Sequence, residues 1–258
     1  MPGFIELRGT RTAFETTGKG PALLMLHGAE GSRRQFARIL PELVDRYTVV
    51  TYDQRDCGDT VSPESHPSLI DLADDARALL EALGHSKAFV FGTSFGGRIA
   101  QTLGVHHADM VRRLVLASTW PLSVSIAEAN PEIAQEIGRL RATLPASAER
   151  LAEIFFPAPF LVDNPAFRDH FKSAPARSAR SDRRASVVAD MPDLDISTID
   201  QPTLLMAGAI DCVVPAALTL QLANSIRDTR SVVLPDVGHL GTAQAPKTVA
   251  QHLREFLI

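Results

Sequence analysis

Phe91-Gly92-Thr93-Ser94-Phe95-Gly96-Gly97 decides how this chain is read. It follows the apolar run Ala88-Phe89-Val90-Phe91 and leads into the helix-prone Arg98-Ile99-Ala100-Gln101-Thr102-Leu103. A serine with glycine at both second neighbours, between a strand and a helix, fits a sharp turn that lifts the hydroxyl above a sheet edge. Side chains two residues before and after would collide in such a turn, and glycine avoids the collision. Short motifs also arise by chance in glycine-bearing turns, so the weight of this one depends on its surroundings.

Those surroundings alternate. Short β-type runs at 4–8, 12–16, 22–26, 48–52, 88–91, 114–117, 203–207 and 231–234 are separated by longer helical patterns. The first two read as an antiparallel hairpin about Gly9-Thr10, and the others as buried strands of a parallel sheet. Alternation of this kind predicts a mostly parallel sheet covered by helices. Leu69, Leu72, Ala76, Leu79, Leu80 and Leu83 mark one face of a helix. Asp71, Asp74 and Asp75 read as its solvated face, with favourable charge near the helix start. Val249, Leu253, Phe256 and Leu257 mark a second helix. The alternation breaks over residues 121–200, a helix-prone, proline-bearing stretch without a clear strand. This stretch is expected to form a helical lid over the carboxyl edge of the sheet, where open α/β folds bind ligands. The expected organisation is a core of 1–120 and 201–258 with the lid inserted at 121–200.

Composition narrows the function classes. With 258 residues and 45% hydrophobic content, one large α/β domain can bury a sizeable core. A net charge of −4 argues against nucleic acid as a partner. No apolar run has the length of a membrane span. The first residues show neither a basic n-region nor an apolar h-region, so a cytoplasmic location is expected. Cys57 and Cys212 suggest neither a disulfide framework nor a zinc site.

A serine hydroxyl needs an adjacent base, and histidine has the suitable pKa. His239, in Pro235-Asp236-Val237-Gly238-His239-Leu240 after the last strand, is the best placed. His85, His106 and His107 lie in a turn or at a helix end. Asp211, which follows strand 203–207, is expected to hold the imidazole tautomer. Asp236 reads as a turn residue. The oxyanion donors are expected to be the N–H of Phe95, directly after Ser94, and the N–H of Ala29 in His27-Gly28-Ala29-Glu30-Gly31-Ser32.

With these elements in order, the chain resembles the α/β-hydrolase superfamily over nearly its whole length. The order Ser94, Asp211, His239 is the order of that fold. Tyr52-Asp53-Gln54-Arg55-Asp56-Cys57-Gly58-Asp59-Thr60 is similar to the family's Asp-x-Arg-Gly-x-Gly-x-Ser loop, with Asp56 in place of the first glycine and Thr60 in place of the serine. Asp53 and Arg55 read as loop-bracing residues. The lid position and the elbow sequence look most like the branch of small lid-bearing esterases and 3-oxoadipate enol-lactonases. A serine nucleophile disfavours the dehalogenase and epoxide-hydrolase branches, which carry aspartate there. The resemblance implies an α/β-hydrolase fold, an eight-stranded mostly parallel sheet with helices on both faces and a lid after strand 6. It also implies acyl transfer from a small-molecule ester or lactone to water, with no cofactor and no metal. Hydrolysis of a carbon–carbon bond in a vinylogous diketone remains an alternative, as does a ligand receptor with little turnover.

Two features of residues 121–200, together with Trp120 at their hinge, stay open. Phe155, Phe156 and Trp120 either line a substrate pocket or pack lid onto core, whereas Phe167 and Phe171, at helical spacing, read as packing. Arg177, Arg180, Arg183 and Arg184 read as a solvated helix face, with attraction of a carboxylate-bearing substrate as the other reading.

Overall fold

The computed structural model describes residues 3–172 and 178–258. Eight strands form one sheet: β1 (Gly3–Leu7), β2 (Thr10–Thr17), β3 (Ala22–Leu26), β4 (Thr48–Tyr52), β5 (Ala88–Thr93), β6 (Val111–Ala117), β7 (Thr203–Gly208) and β8 (Thr229–Leu234). Their order is β1-β2-β4-β3-β5-β6-β7-β8. Pairing is antiparallel for β1–β2 and β2–β4 and parallel from β4 through β8.

The parallel strands are apolar on both faces because helices cover both faces. Successive side chains alternate between two clusters, as the period of a strand requires. Leu24, Leu26, Val50, Val90, Leu114, Leu116 and Leu205 pack with α1 (Leu69–Ala82) and α2 (Phe95–His106). Leu23, Met25, Val49, Phe89, Phe91, Val115, Leu204 and Met206 face the other way, toward Phe36, Ile39 and Leu43 and the apolar stripe of the last helix. Between β3 and β4 the chain makes two 3-10 turns, Arg33–Phe36 and Leu40–Glu42, which supply Phe36 to that second layer.

α1 carries the expected apolar stripe and begins with a reciprocal capping box between Ser68 and Asp71. Its acidic face is not simply solvated. Asp75 is 5% exposed and pairs with Arg55 at 2.8 Å, while Asp74 pairs with Arg8 at 3.0 Å and His107 at 2.7 Å. Helical periodicity carries no sign of these partners, which come from the hairpin turn, the β4–α1 loop and the end of α2.

Among the described residues, six α-helices lie between β6 and β7: α3 (Ile126–Ala129), α4 (Pro131–Ala142), α5 (Ala148–Phe155), α6 (Ala158–Asp163), α7 (Ala166–Lys172) and α8 (Ala179–Val188). After β7 come α9 (Ala216–Leu220), α10 (Gly241–Gln244) and α11 (Pro246–Phe256). Both ends of the six-helix segment are tied to α2 by one buried arginine. Arg98 donates to the Leu122 carbonyl at 2.7 Å and the Val188 carbonyl at 3.1 Å, with the Trp120 ring 5.4 Å away. Asn130 donates to the Cys212 carbonyl at 2.8 Å, which links the same segment to the loop after β7. Among the described residues, no helix is long and apolar enough to cross a membrane.

Candidate active site

The carboxyl ends of β3, β5, β7 and β8 bring four loops together. Ser94 heads α2 with φ 55° and ψ −125°, a conformation rarely adopted by residues other than glycine. The turn is held from both sides. Ser94 N–H donates to the Ala117 carbonyl at 2.9 Å, and the Thr119 hydroxyl donates to the Ser94 carbonyl at 2.7 Å. Thr119 is itself held by Thr219, whose hydroxyl accepts from the Thr119 N–H at 2.9 Å and donates to its carbonyl at 2.8 Å. The flanking glycines have a direct steric reason. A methyl group on Gly96 would lie 2.1 Å from the Leu26 carbonyl oxygen, and one on Gly92 would lie 2.3 Å from that of Gly96.

The Ser94 Oγ is 2.9 Å from His239 Nε2. His239 Nδ1 is 2.9 Å from Asp211 Oδ2 and 3.1 Å from Oδ1. Asp211 Oδ1 also accepts from the N–H groups of Val213 and Val214, each at 2.9 Å. All three residues are buried. A carboxylate can only accept, so Nδ1 carries the proton and Nε2 is free to accept from the serine. The His239 N–H donates to the Phe155 carbonyl at 3.2 Å, and the Phe155 ring centroid lies 5.7 Å from the imidazole. Asp236 is a turn residue with φ 55°, and its carbonyl accepts from Gln244 at 2.6 Å.

The loop after β3 passes directly beside the serine: a methyl group on Gly28 would sit 3.9 Å from Ser94 Oγ. His27 braces this loop rather than titrating within it. Its Nδ1–H donates to the Gly28 carbonyl at 2.8 Å, and its Nε2 accepts from the Gln54 N–H at 3.1 Å. Burial, aided by the charge of Arg184, pushes its pKa down to about 3, so the ring is neutral at ordinary pH. Phe95 is the first residue of α2, so its N–H is one of the unpaired donors of a helix start.

The neighbouring 52–60 loop is braced as its sequence suggested. Asp53 accepts from the backbone of Arg33 and of Asp59, each at 2.7 Å, and pairs with the Arg33 guanidinium. Thr60 keeps a hydroxyl where the family pattern has serine, donating to the Asp53 carbonyl at 2.6 Å. Asp56 takes up a left-handed φ of 60° and pairs with Arg183 at 2.7 Å.

The basic run corrects the expectation of a solvated face. Arg180 donates to the Gly58 carbonyl at 2.9 Å, Arg183 pairs with Asp56, and Arg184 is 3% exposed. Arg177 lies outside the described residues. Spacing held the signal, since Arg180, Arg183, Arg184 and the buried Val187 follow the i, i+3, i+4, i+7 pattern of one packed face. The aromatic candidates separate as well. Phe155 touches His239 and stacks on Phe171 at 5.6 Å. Phe156 is a packing residue, 2% exposed, with rings of Phe160 and Phe167 at 5.1 and 4.9 Å. Trp120 is buried against Arg98. Thr119, Thr219 and Gln54 were not singled out by sequence, because a hydroxyl or amide that braces a loop has no spacing signature.

Away from this site, Asp74, His106 and His107 place potential metal-ligand atoms within 4.8 Å of one another. Two cations already serve that cluster: Arg8 pairs with Asp74, and Arg77 donates to His107 Nδ1 at 3.3 Å. Donation from Arg77 leaves the Nε2 proton on His107 pointing at Asp74 at 2.7 Å, so both ring nitrogens are spent on hydrogen bonds and neither is free for a metal.

Residues 21–246 match the family model of the alpha/beta hydrolase fold. The chain belongs to that family. It is 29% identical to a 2-hydroxymuconate semialdehyde hydrolase of Pseudomonas sp. (strain CF600), over 96% of this chain and 91% of that one. It is 26% identical to a thermophilic esterase of Thermogutta terrifontis, with a TM-score of 0.84 over 100% of this chain and 98% of that one. The enol-lactonase of Burkholderia xenovorans LB400 shares the fold, with a TM-score of 0.84 at 21% identity over 99% of each chain.

Proposed function

We propose that this chain is a serine hydrolase that cleaves a small-molecule carboxylic ester or lactone through an acyl-enzyme. The observation that carries the reading is the continuous relay from Ser94 Oγ to His239 Nε2 and from His239 Nδ1 to Asp211. His239 takes the serine proton as Ser94 attacks the carbonyl. The oxyanion sits on the N–H groups of Phe95 and Ala29. His239 then protonates the leaving alcohol, and Asp211 stabilises the imidazolium. Water repeats the sequence on the acyl-enzyme and releases the acid. Residues 121–200 act as the lid, and Phe155 forms the wall beside the imidazole. The likeness to the Thermogutta esterase supports ester cleavage.

A second reading has its own support. The likeness to 2-hydroxymuconate semialdehyde hydrolase favours cleavage of a carbon–carbon bond by the same three residues. The two readings differ in products, since an ester yields an alcohol and a vinylogous diketone does not.

The test is hydrolysis of a p-nitrophenyl ester series and a carboxylate-bearing lactone by wild type and Ser94→Ala. Turnover is expected to vanish in a variant that keeps its far-UV spectrum and melting temperature. Substantial activity in folded Ser94→Ala would overturn the serine mechanism.

A further inference from the structure

Arg184 sits on α8, 90 residues after Ser94 in sequence, yet it reaches the reacting centre. Its Nε donates to the Ala29 carbonyl, and its Nη2 donates to the Gly28 carbonyl at 3.4 Å and to the Gln54 side-chain oxygen. Its guanidinium carbon lies 4.6 Å from the Phe95 ring centroid. One side chain therefore touches the loop after β3 and the residue that follows Ser94. The side chain is 3% exposed, and the oxygens it meets are neutral. Its Nη1 has no hydrogen-bond partner among the described residues.

Burying a guanidinium against neutral partners is unfavourable. An apolar side chain would cover Phe95 without that cost. What an apolar side chain lacks is the planar fork, which fixes two carbonyl directions at once. In a trans peptide the C=O and the next N–H lie in one plane and point in opposite directions. The Gly28 carbonyl is drawn to one side by three donors: His27 Nδ1 at 2.8 Å, the Gly31 N–H at 3.2 Å and Arg184 Nη2. The N–H that points the opposite way in that plane belongs to Ala29. It donates to nothing among the described residues. The following plane is held through the Ala29 carbonyl, which accepts from Arg184 and from Cys57 Sγ at 3.7 Å. Gln54 closes the ring, since its amide nitrogen donates to the His27 carbonyl at 2.9 Å while its oxygen accepts from Arg184.

We propose that Arg184 is a positioning residue for acyl transfer: from the segment between β6 and β7, it fixes the two peptide planes that aim the Ala29 N–H at the developing oxyanion. This rests on the serine-hydrolase reading above. α8 is a firm platform for the task, because Arg183 pairs with Asp56, Arg180 donates to the Gly58 carbonyl and Arg98 holds the Val188 carbonyl. The oxyanion loop is thereby set by two layers of the molecule, β3 below and α8 above.

The test compares wild type with Arg184→Lys, Arg184→Gln and Arg184→Ala on a neutral ester, p-nitrophenyl butyrate. The inhibition constant of a neutral trifluoromethyl ketone, whose adduct with Ser94 places an oxyanion in the hole, is measured alongside. Removing one oxyanion donor costs ~10²–10³ in turnover, so misaiming it is expected to lower kcat about 10- to 100-fold. KM should move less than about threefold, and the ketone should weaken in parallel with kcat/KM. Added guanidinium ion at non-denaturing concentration should restore part of the kcat of Arg184→Ala, and Lys, lacking the fork, should not restore it. Active-site titration with a fluorophosphonate counts competent enzyme in each variant.

An unchanged kcat on the neutral ester would overturn the proposal. So would a defect seen only as a raised KM for a carboxylate-bearing lactone, which would make Arg184 a charge partner of substrate instead. A kcat loss matched by a loss of titratable enzyme would reduce the residue to a structural role and overturn it too. A wild type without turnover on these substrates overturns the ester and lactone reading and, with it, this inference. Activity that depends on Ser94 but is indifferent to Arg184 overturns this inference alone.

Discussion

Asp211→Asn is the sharpest perturbation of the proposed relay, and its effect can be worked from the contacts of one oxygen. Asp211 Oδ1 accepts from the Val213 and Val214 N–H groups at 2.9 Å each, while Oδ2 faces His239 Nδ1 at 2.9 Å. An asparagine must keep its carbonyl oxygen toward the two backbone donors, since its NH2 group there would confront two N–H groups. Its NH2 group is then forced toward His239 Nδ1. The imidazole answers by moving its proton to Nε2, and a protonated Nε2 cannot accept from Ser94. By analogy with the same exchange in serine proteases, the loss is ~10⁴ in kcat, or about 5.5 kcal/mol of transition-state stabilisation. The shape of the side chain is unchanged, so the melting temperature should fall by no more than a few degrees. The assay is kcat/KM for p-nitrophenyl butyrate from pH 6 to 10, with fluorophosphonate titration to count active sites. A folded Asp211→Asn enzyme within tenfold of wild type would refute the tautomer argument and shift the search to another carboxylate.

Two further outcomes test the frame around the site. Gly96→Ala puts a methyl group 2.1 Å from the Leu26 carbonyl oxygen and 2.6 Å from that of His27, both backbone atoms of a buried strand end. A loss of about 2–4 kcal/mol is expected in urea unfolding, and an unchanged midpoint would contradict the steric account. His27 has its pKa pushed down from 6.5 to about 3, chiefly by burial. Protonation therefore favours the unfolded chain. The stability that depends on neutral His27 is complete above about pH 6.5 and is lost as pH falls toward 3, by roughly 4–5 kcal/mol in total. Melting temperatures from pH 7 to 4 should fall less steeply in His27→Asn than in wild type, and equal slopes would sink the assignment.

Much of the frame was legible because it follows from local rules. Val90 and Phe91 sit in a run apolar enough for a strand covered on both faces, and Gly92 and Gly96 mark the turn that only small residues fit. Ser94, Asp211 and His239 each follow a strand of the parallel sheet, so topology alone brings them to one edge. What was not legible depends on which surfaces meet. Asp75 lies on the polar side of its helix pattern, but Arg55 arrives from the β4–α1 loop and takes it out of water. Phe155 and Phe156 are adjacent and chemically identical. One touches His239 and the other joins Phe160 and Phe167, and only the end of α5 decides between them.

Asp56 and Arg183 carry this point furthest. Asp56 occupies a position where the family's loop has glycine, and its φ of 60° shows why glycine suits it. A left-handed conformation costs a residue with a side chain about 1–2 kcal/mol, somewhat less for aspartate, whose short polar group bonds locally. The compensation is distant. Arg183, 127 residues later, meets the Asp56 carboxylate at 2.7 Å, with the two side chains only 2% and 14% exposed. A charge-assisted bond shielded from water is strong enough to offset strain of that size. The departure in the loop and the arginine in the helical segment are therefore one feature split across the sequence. Taken singly, an aspartate in place of glycine reads as a flaw and an arginine on a helix reads as solvent-facing. The pair explains both, and it holds α8 where Arg184 can reach the carbonyls of Gly28 and Ala29.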